Sequence, residues 1–173
     1  MKKLLLTILI VLFLTTAANA WTINGVEAST FKLHPVKAIS GALVSAAVHC
    51  AGHHLMAAAF NKSMDQDGFY EVWHGTYTRS EEAWIGRAGF LAQLGTGFIL
   101  NKLDIDESFR AGFNGMSLVE ITSYPFIHKN EKRDDNHITG AGDLGNIAAS
   151  GNVRNELMLY IGTAIYNLNG SFK

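Results

Sequence analysis

The chain has 173 residues with 14 Lys and Arg against 15 Asp and Glu, a formal net charge of -1. That balance provides no basic field for nucleic acid and no acidic tail. A single cysteine, Cys50, rules out an internal disulfide, so stability has to come from packing, a bound metal or a bilayer.

In chain order, Lys2 and Lys3, the apolar run Leu4 to Leu14 and the small-x-small triplet Ala18-Asn19-Ala20 together read as a secretory signal peptide over residues 1–20. The run is shorter than the ~20 residues that a spanning helix requires, although an uncleaved run would act as an anchor. This reading expects export, to a membrane or to a periplasmic or extracellular space. Residues 21–173 then form one helical domain, with no repeat or composition shift to divide it.

Four helices are expected in the mature part. The first runs from about Val36 to Phe60 behind Pro35, is rich in alanine, and is long enough to cross a bilayer. The polar, aromatic connector Asn61 to Thr78 follows, in which Asp65-Gln66-Asp67-Gly68 reads as a turn: its glycine arrives too early for a calcium loop. Thr78-Arg79-Ser80-Glu81 has capping-box spacing and opens a second helix from about Glu81 to Leu100. A third runs from about Glu107 to Ile121, capped by Asp104 or Asp106, and is expected to break at Tyr124 before Pro125. After a charged loop, Lys129 to Asp135, and a glycine-rich segment, Gly140 to Gly151, the fourth spans about Asn155 to Leu168.

The fold class expected is therefore all-α, a bundle of about four helices. Arg87, Gln93 and three histidines interrupt the apolar stretches and favour a soluble bundle. Gly41, Gly52, Gly86, Gly89, Gly95 and Gly97 argue the other way. Each costs a water-soluble helix roughly 1 kcal/mol relative to alanine, whereas membrane helices use small residues to pack closely. The balance goes to a membrane-embedded bundle, with lipid as its neighbour. A soluble exported helical domain that binds a partner and holds no metal is the alternative.

The segment with most chemistry is Val48-His49-Cys50-Ala51-Gly52-His53-His54. His49 and His53 stand one helical turn apart on one face and can reach a single ion, while His54 points about 100° away from His53. The same pair also reads as two ordinary histidines in a hydrogen-bond network. Glu120, inside an apolar stretch, is either an acid–base group facing the same cavity or a paired structural carboxylate. No phosphate loop, dinucleotide fingerprint, nucleophile elbow or C-x-x-C occurs.

His-Cys-Ala-Gly-His at 49–53 resembles the zinc helix of the site-2-protease family of intramembrane metallopeptidases, whose H-E-x-x-H commonly stands within H-E-A-G-H. Ser80 to Gln93 resembles a second helix of that family, with Phe90 where the family has proline. The resemblance implies a zinc site held by His49, His53 and an aspartate from a later segment. Asp143 in Gly140-Ala141-Gly142-Asp143 is the best placed, with Asp134 and Asp135 as alternatives. An aspartate between glycines is also an ordinary turn or cap residue. Cys50 occupies the place of the family's general-base glutamate, so the implied activity is weak peptide hydrolysis or none. The sequence names no substrate and no protein or peptide partner.

Overall fold

The computed structural model describes residues 22–23, 26–27, 33–67, 70–127, 143, 147 and 153–172. The expected signal peptide, the charged loop with Asp134 and Asp135, and the glycine-rich segment apart from Asp143 and Ile147 lie outside these residues. Among the described residues four helices carry the fold: α1 (Pro35–Ala59), α2 (Arg79–Leu100), α3 (Glu107–Ile127) and α4 (Val153–Gly170). A two-residue pair, β1 (Thr22–Ile23) and β2 (Val26–Glu27), precedes them, and an antiparallel hairpin, β3 (Ser63–Asp67) and β4 (Tyr70–His74), joins α1 to α2. The all-α reading stands, with the hairpin as its one sizeable departure. Asp65 to Asp67, expected in a turn, belong to strand β3.

Local sequence chemistry sets the helix ends. Pro35 opens α1, needing no amide partner in the first turn. Asn61, at φ 55°, closes it in the left-handed conformation. The Lys62 N–H then reaches the Ala57 carbonyl (2.9 Å) and the Asn61 N–H reaches that of Ala58 (2.9 Å), the two bonds of a Schellman ending. The capping box forms as expected: the Thr78 N–H donates to Glu81 Oε2 (2.7 Å) and the Glu81 N–H to Thr78 Oγ1 (3.3 Å). Asp106 caps α3 by accepting from the Ser108 N–H (3.0 Å) and pairs with Lys37 of α1 (2.7 Å).

The expected break at Tyr124 does not occur, and α3 continues through Pro125 to Ile127. Proline at that place removes one backbone bond, but Tyr124 is fixed from outside the helix. Its ring packs edge-on against Phe90 (5.6 Å between centroids), and its hydroxyl accepts from the Asp143 N–H (2.8 Å). Tertiary contacts override the local preference.

α1 lies against α2 and α3, and α4 against α3 and α2. Glycines set the close approaches. A side chain at Gly41 would strike the Phe109 carbonyl, one at Gly112 the Ala38 carbonyl, and one at Gly52 the Ala88 carbonyl. One apolar cluster gathers Phe90, Leu94, Ile121, Ile147, Tyr160 and Ala164 where α2, α3 and α4 meet; a smaller one, Ala57, Met64 and Ile85, seats the hairpin against α1 and α2.

Beside these apolar clusters the interior holds many polar side chains, and the outward faces carry many apolar ones. Ser45, His49, His53, Glu82, Gln93, Asn114, Ser117, Asp143 and Asn167 are buried. Outside, from Gly41 to the end of α1 the exposed residues are Leu43, Val44, Ala47, Ala51, Leu55, Ala58 and Ala59. From Trp84 onward α2 exposes Trp84, Leu91, Gly95, Phe98 and Ile99, and from Met158 onward α4 exposes Met158, Leu159, Gly162, Ile165 and Tyr166. Exposed charges gather at the ends instead: Lys37, Lys102, Asp104, Asp106 and Glu107 at one, Arg79 and Arg154 at the other.

Candidate metal centre

Helix α1 presents His49 and His53 to the interior from successive turns, 5% and 2% exposed. Space for the two rings comes from Gly89 of α2, where any Cβ would meet the His53 ring at Nε2 and at Cε1 (2.5 Å) and His49 Cε1 (2.7 Å). Asp143 arrives from the segment after α3, its position set by the bond to Tyr124. His49 Nε2 lies 2.8 Å from His53 Nε2 and 2.9 Å from Asp143 Oδ2, and His53 Nε2 lies 3.3 Å from that same oxygen. These three side chains form a group that can hold a metal ion.

The remaining hydrogen bonds decide which ring atoms carry protons. His53 Nδ1 is 2.6 Å from the Ile85 carbonyl, which can only accept, so the proton sits on Nδ1. His49 Nδ1 is 3.1 Å from Gln93 Oε1. The amide orientation of Gln93 follows from its nitrogen, which donates to the Ser45 carbonyl (3.1 Å), Ser45 Oγ (3.1 Å) and Glu120 Oε2 (2.8 Å). Its oxygen is therefore the atom facing His49, and His49 is protonated on Nδ1 as well.

With both Nδ1 atoms occupied by protons, the two Nε2 atoms and a carboxylate oxygen face one point. Such a buried group needs positive charge among its atoms, which either a proton on one Nε2 or a metal cation supplies. In a tetrahedral site with bonds of ~2.0–2.1 Å the ligand atoms stand roughly 3.3 Å apart; the His53 Nε2 to Asp143 Oδ2 separation (3.3 Å) has that length, and the 2.8 and 2.9 Å separations are those of hydrogen bonds, which have to open to admit an ion. The backbone carbonyl behind His53 and the amide behind His49 are the outer partners that fix tautomer and ring orientation in metal sites.

The other candidates fall into place around this group. Glu120 belongs to the same cavity: Oε2 is held by Gln93, and Oε1 lies 3.7 Å from His49 Nε2. His54 and Cys50 are half-buried and stand outside the group, as the helical angle requires. Gln93, 0% exposed, ties α1, α2 and α3 together at the centre; its place among apolar residues was the sequence signal for it.

Glu71 of β4 had no such signal. The pairing Met64 with Trp73 fixes the inward face of the hairpin, because both side chains pack into the cluster with Ala57 and Ile85. Two residues from Trp73, Glu71 shares that face. Asp65 and His74 pair outward in solvent (2.8 Å). Glu71 lies within electrostatic reach of His53, Asp143 and His49, and burial pushes its carboxyl above the ordinary carboxylate range.

No protein-family model matches the chain, and no curated protein or solved structure matches it. The class defined by fold and site is a four-helix bundle with a candidate metal centre in its interior.

Proposed function

We propose that this is an exported, membrane-embedded helical protein that binds a divalent metal ion through His49, His53 and Asp143, with zinc the ion that the donor set suits first. The observation that carries the reading is the convergence of two Nε2 atoms and one carboxylate oxygen on a common point, with both rings oriented from behind. A bound ion would supply Lewis-acid polarisation of a carbonyl or of water. Supporting a membrane setting are the apolar outward faces of α1, α2 and α4 and the closeness of the helix crossings at Gly41, Gly52 and Gly112. α1 alone among the described helices has an 18-residue stretch apolar enough to pass as a span, so for α2 and α4 the argument rests on their faces.

The likeness to site-2-type metallopeptidases enters as part of this proposal, through the H-C-A-G-H helix and Asp143. Cys50, half-buried and away from the converging atoms, gives no acid–base group in the place of the family's glutamate. The expected outcome is a metal-binding relative with little or no peptidase activity.

Elemental analysis tests the centre. The full chain, reconstituted with Zn²⁺ and freed of excess, is expected to retain one ion, and a His49→Ala, His53→Ala double variant none. A folded wild-type protein that retains no ion removes the proposal. Fractionation tests the setting: a spanning protein stays with membranes through an alkaline wash, and one released with the soluble extract is the exported soluble domain instead.

A further inference from the structure

The triad leaves one oxygen-rich problem unsolved. Glu71 Oε1 is fully enclosed and has no hydrogen-bond partner among the described residues. An enclosed carboxylate oxygen left unpaired is costly; the groups within electrostatic reach of Glu71 are His53, Asp143, His49 and His54, while the outward face of the hairpin has its own pair in Asp65 and His74. The strand register, not side-chain flexibility, turns Glu71 inward beside Trp73, toward the end of α1 that carries His53. Glu71 stands outside the group whose ligand atoms lie within 4.8 Å of one another, so it is not itself one of the converging ligands.

We propose that Glu71 is the outer carboxylate of the cation site, hydrogen-bonded to a solvent molecule on the ion's open side, so that ion binding fastens the β3–β4 hairpin onto α1. This rests on the metal reading above and deepens it. His49, His53 and Asp143 leave one position of a tetrahedral ion open. The solvent molecule there has two protons to donate, and Glu71 Oε1 is an acceptor without a donor. Glu120, the other carboxylate near His49, is already bonded to Gln93. The hairpin thus becomes the cover of the site, and a carboxylate from a connector stands in the surroundings where Cys50 supplies none.

The test uses the full chain, stripped of metal and titrated with Zn²⁺ against a competing chelator, while hydrogen exchange is followed at the strand amides of 63–67 and 70–74. In the wild-type protein these amides are expected to gain protection with ion binding. Glu71→Gln is expected to bind Zn²⁺ at least 10-fold more weakly, within the range for loss of an outer partner, and to lose the gain in protection; Glu71→Asp is expected to fall between. His74→Gln, altered on the outward face, is expected to behave as wild type. Wild-type affinity and protection in Glu71→Gln overturn the assignment while leaving the metal centre standing. Absence of Zn²⁺ binding by the wild-type protein removes both. A Glu71→Gln protein that unfolds without metal, while Glu71→Asp does not, also overturns it, because it assigns Glu71 a structural role independent of the ion.

Discussion

Replacing Gly89 by alanine separates the site from the fold. The new Cβ would sit 2.5 Å from His53 Cε1 and 2.7 Å from His49 Cε1. Carbon atoms in good contact stand at ~3.5 Å or more, so each ring has to retreat by roughly 0.8–1 Å. A metal site tolerates about 0.2 Å in its bond lengths, and the displacement is several times that. The fold fares better, because a gain of about 1 kcal/mol in helix propensity offsets part of an overpacking cost of about 1–3 kcal/mol. The net expected loss is between about zero and 2 kcal/mol. Gly95→Ala is the control, since a Cβ at Gly95 meets nothing within 4 Å. The assay pairs helical content and thermal unfolding with Zn²⁺ stoichiometry. Gly89→Ala is expected to fold and hold no ion, and Gly95→Ala to be at least as stable as wild type and fully loaded. A Gly89→Ala protein with wild-type Zn²⁺ affinity would refute the placement of both imidazoles.

Three further outcomes are expected. Gln93→Leu removes the acceptor behind His49 Nδ1 and the donor to Glu120, and Zn²⁺ affinity in a competitive titration is expected to fall about 10–100-fold; an unchanged affinity would mean the ring is oriented by something else. Leu91→Asp places a carboxylate on the outward face near the middle of α2, where a lipid environment costs about 2.5–3.5 kcal/mol and water costs next to nothing; membrane integration is expected to drop, and normal yield in the soluble fraction would refute the bilayer setting. The Lys37 ammonium, with help from the Ser108 amide, holds the Asp106 carboxyl below its ordinary value. A depressed carboxyl stabilises above its unfolded pKa of about 4 and loses that contribution as pH falls through the lower folded value. The difference in thermal midpoint between wild type and Asp106→Asn is therefore expected to shrink on acidification from pH 7 to pH 2, and a constant difference would count against the pair.

Helix positions were legible because their signals are local. Pro35 and the Thr78–Glu81 box act within one turn, and the structure places helix starts within two residues of where they point. The end of α3 was not legible, because Pro125 speaks only for its own backbone, whereas Tyr124 is held by Phe90 and Asp143 from elsewhere in the chain. The hairpin was obscured by Asp65 and Asp67, poor strand formers whose place is fixed by pairing with Val72 and Tyr70. His49 and His53 could be paired from spacing alone, since a helical turn brings them together wherever the helix lies. Asp143 could be suggested only by resemblance, 94 residues from His49 in sequence. Glu71 could not be found at all without the strand register.

The polar interior and the apolar exterior bear on one another. In water, a bundle with Leu43, Leu55, Leu91, Phe98 and Leu159 outside, and Ser45, Gln93, Ser117 and Asn167 buried beside its apolar core, would expose apolar faces to association. In lipid, outward leucines cost nothing, and helices cohere through close packing and interhelical hydrogen bonds. The Ser45–Ser117 contact (3.0 Å), the Gln93 bonds and the Asn114 amide donating to Ser171 Oγ (2.8 Å) are bonds of that kind. Within such an interior the Asp143 carboxylate beside two imidazoles is the most expensive element, and a proton held on one ring or a divalent cation offsets it. The metal reading and the membrane reading thus meet in the same residues: the deeper the bundle lies in lipid, the less the triad can remain without a positive charge between its atoms.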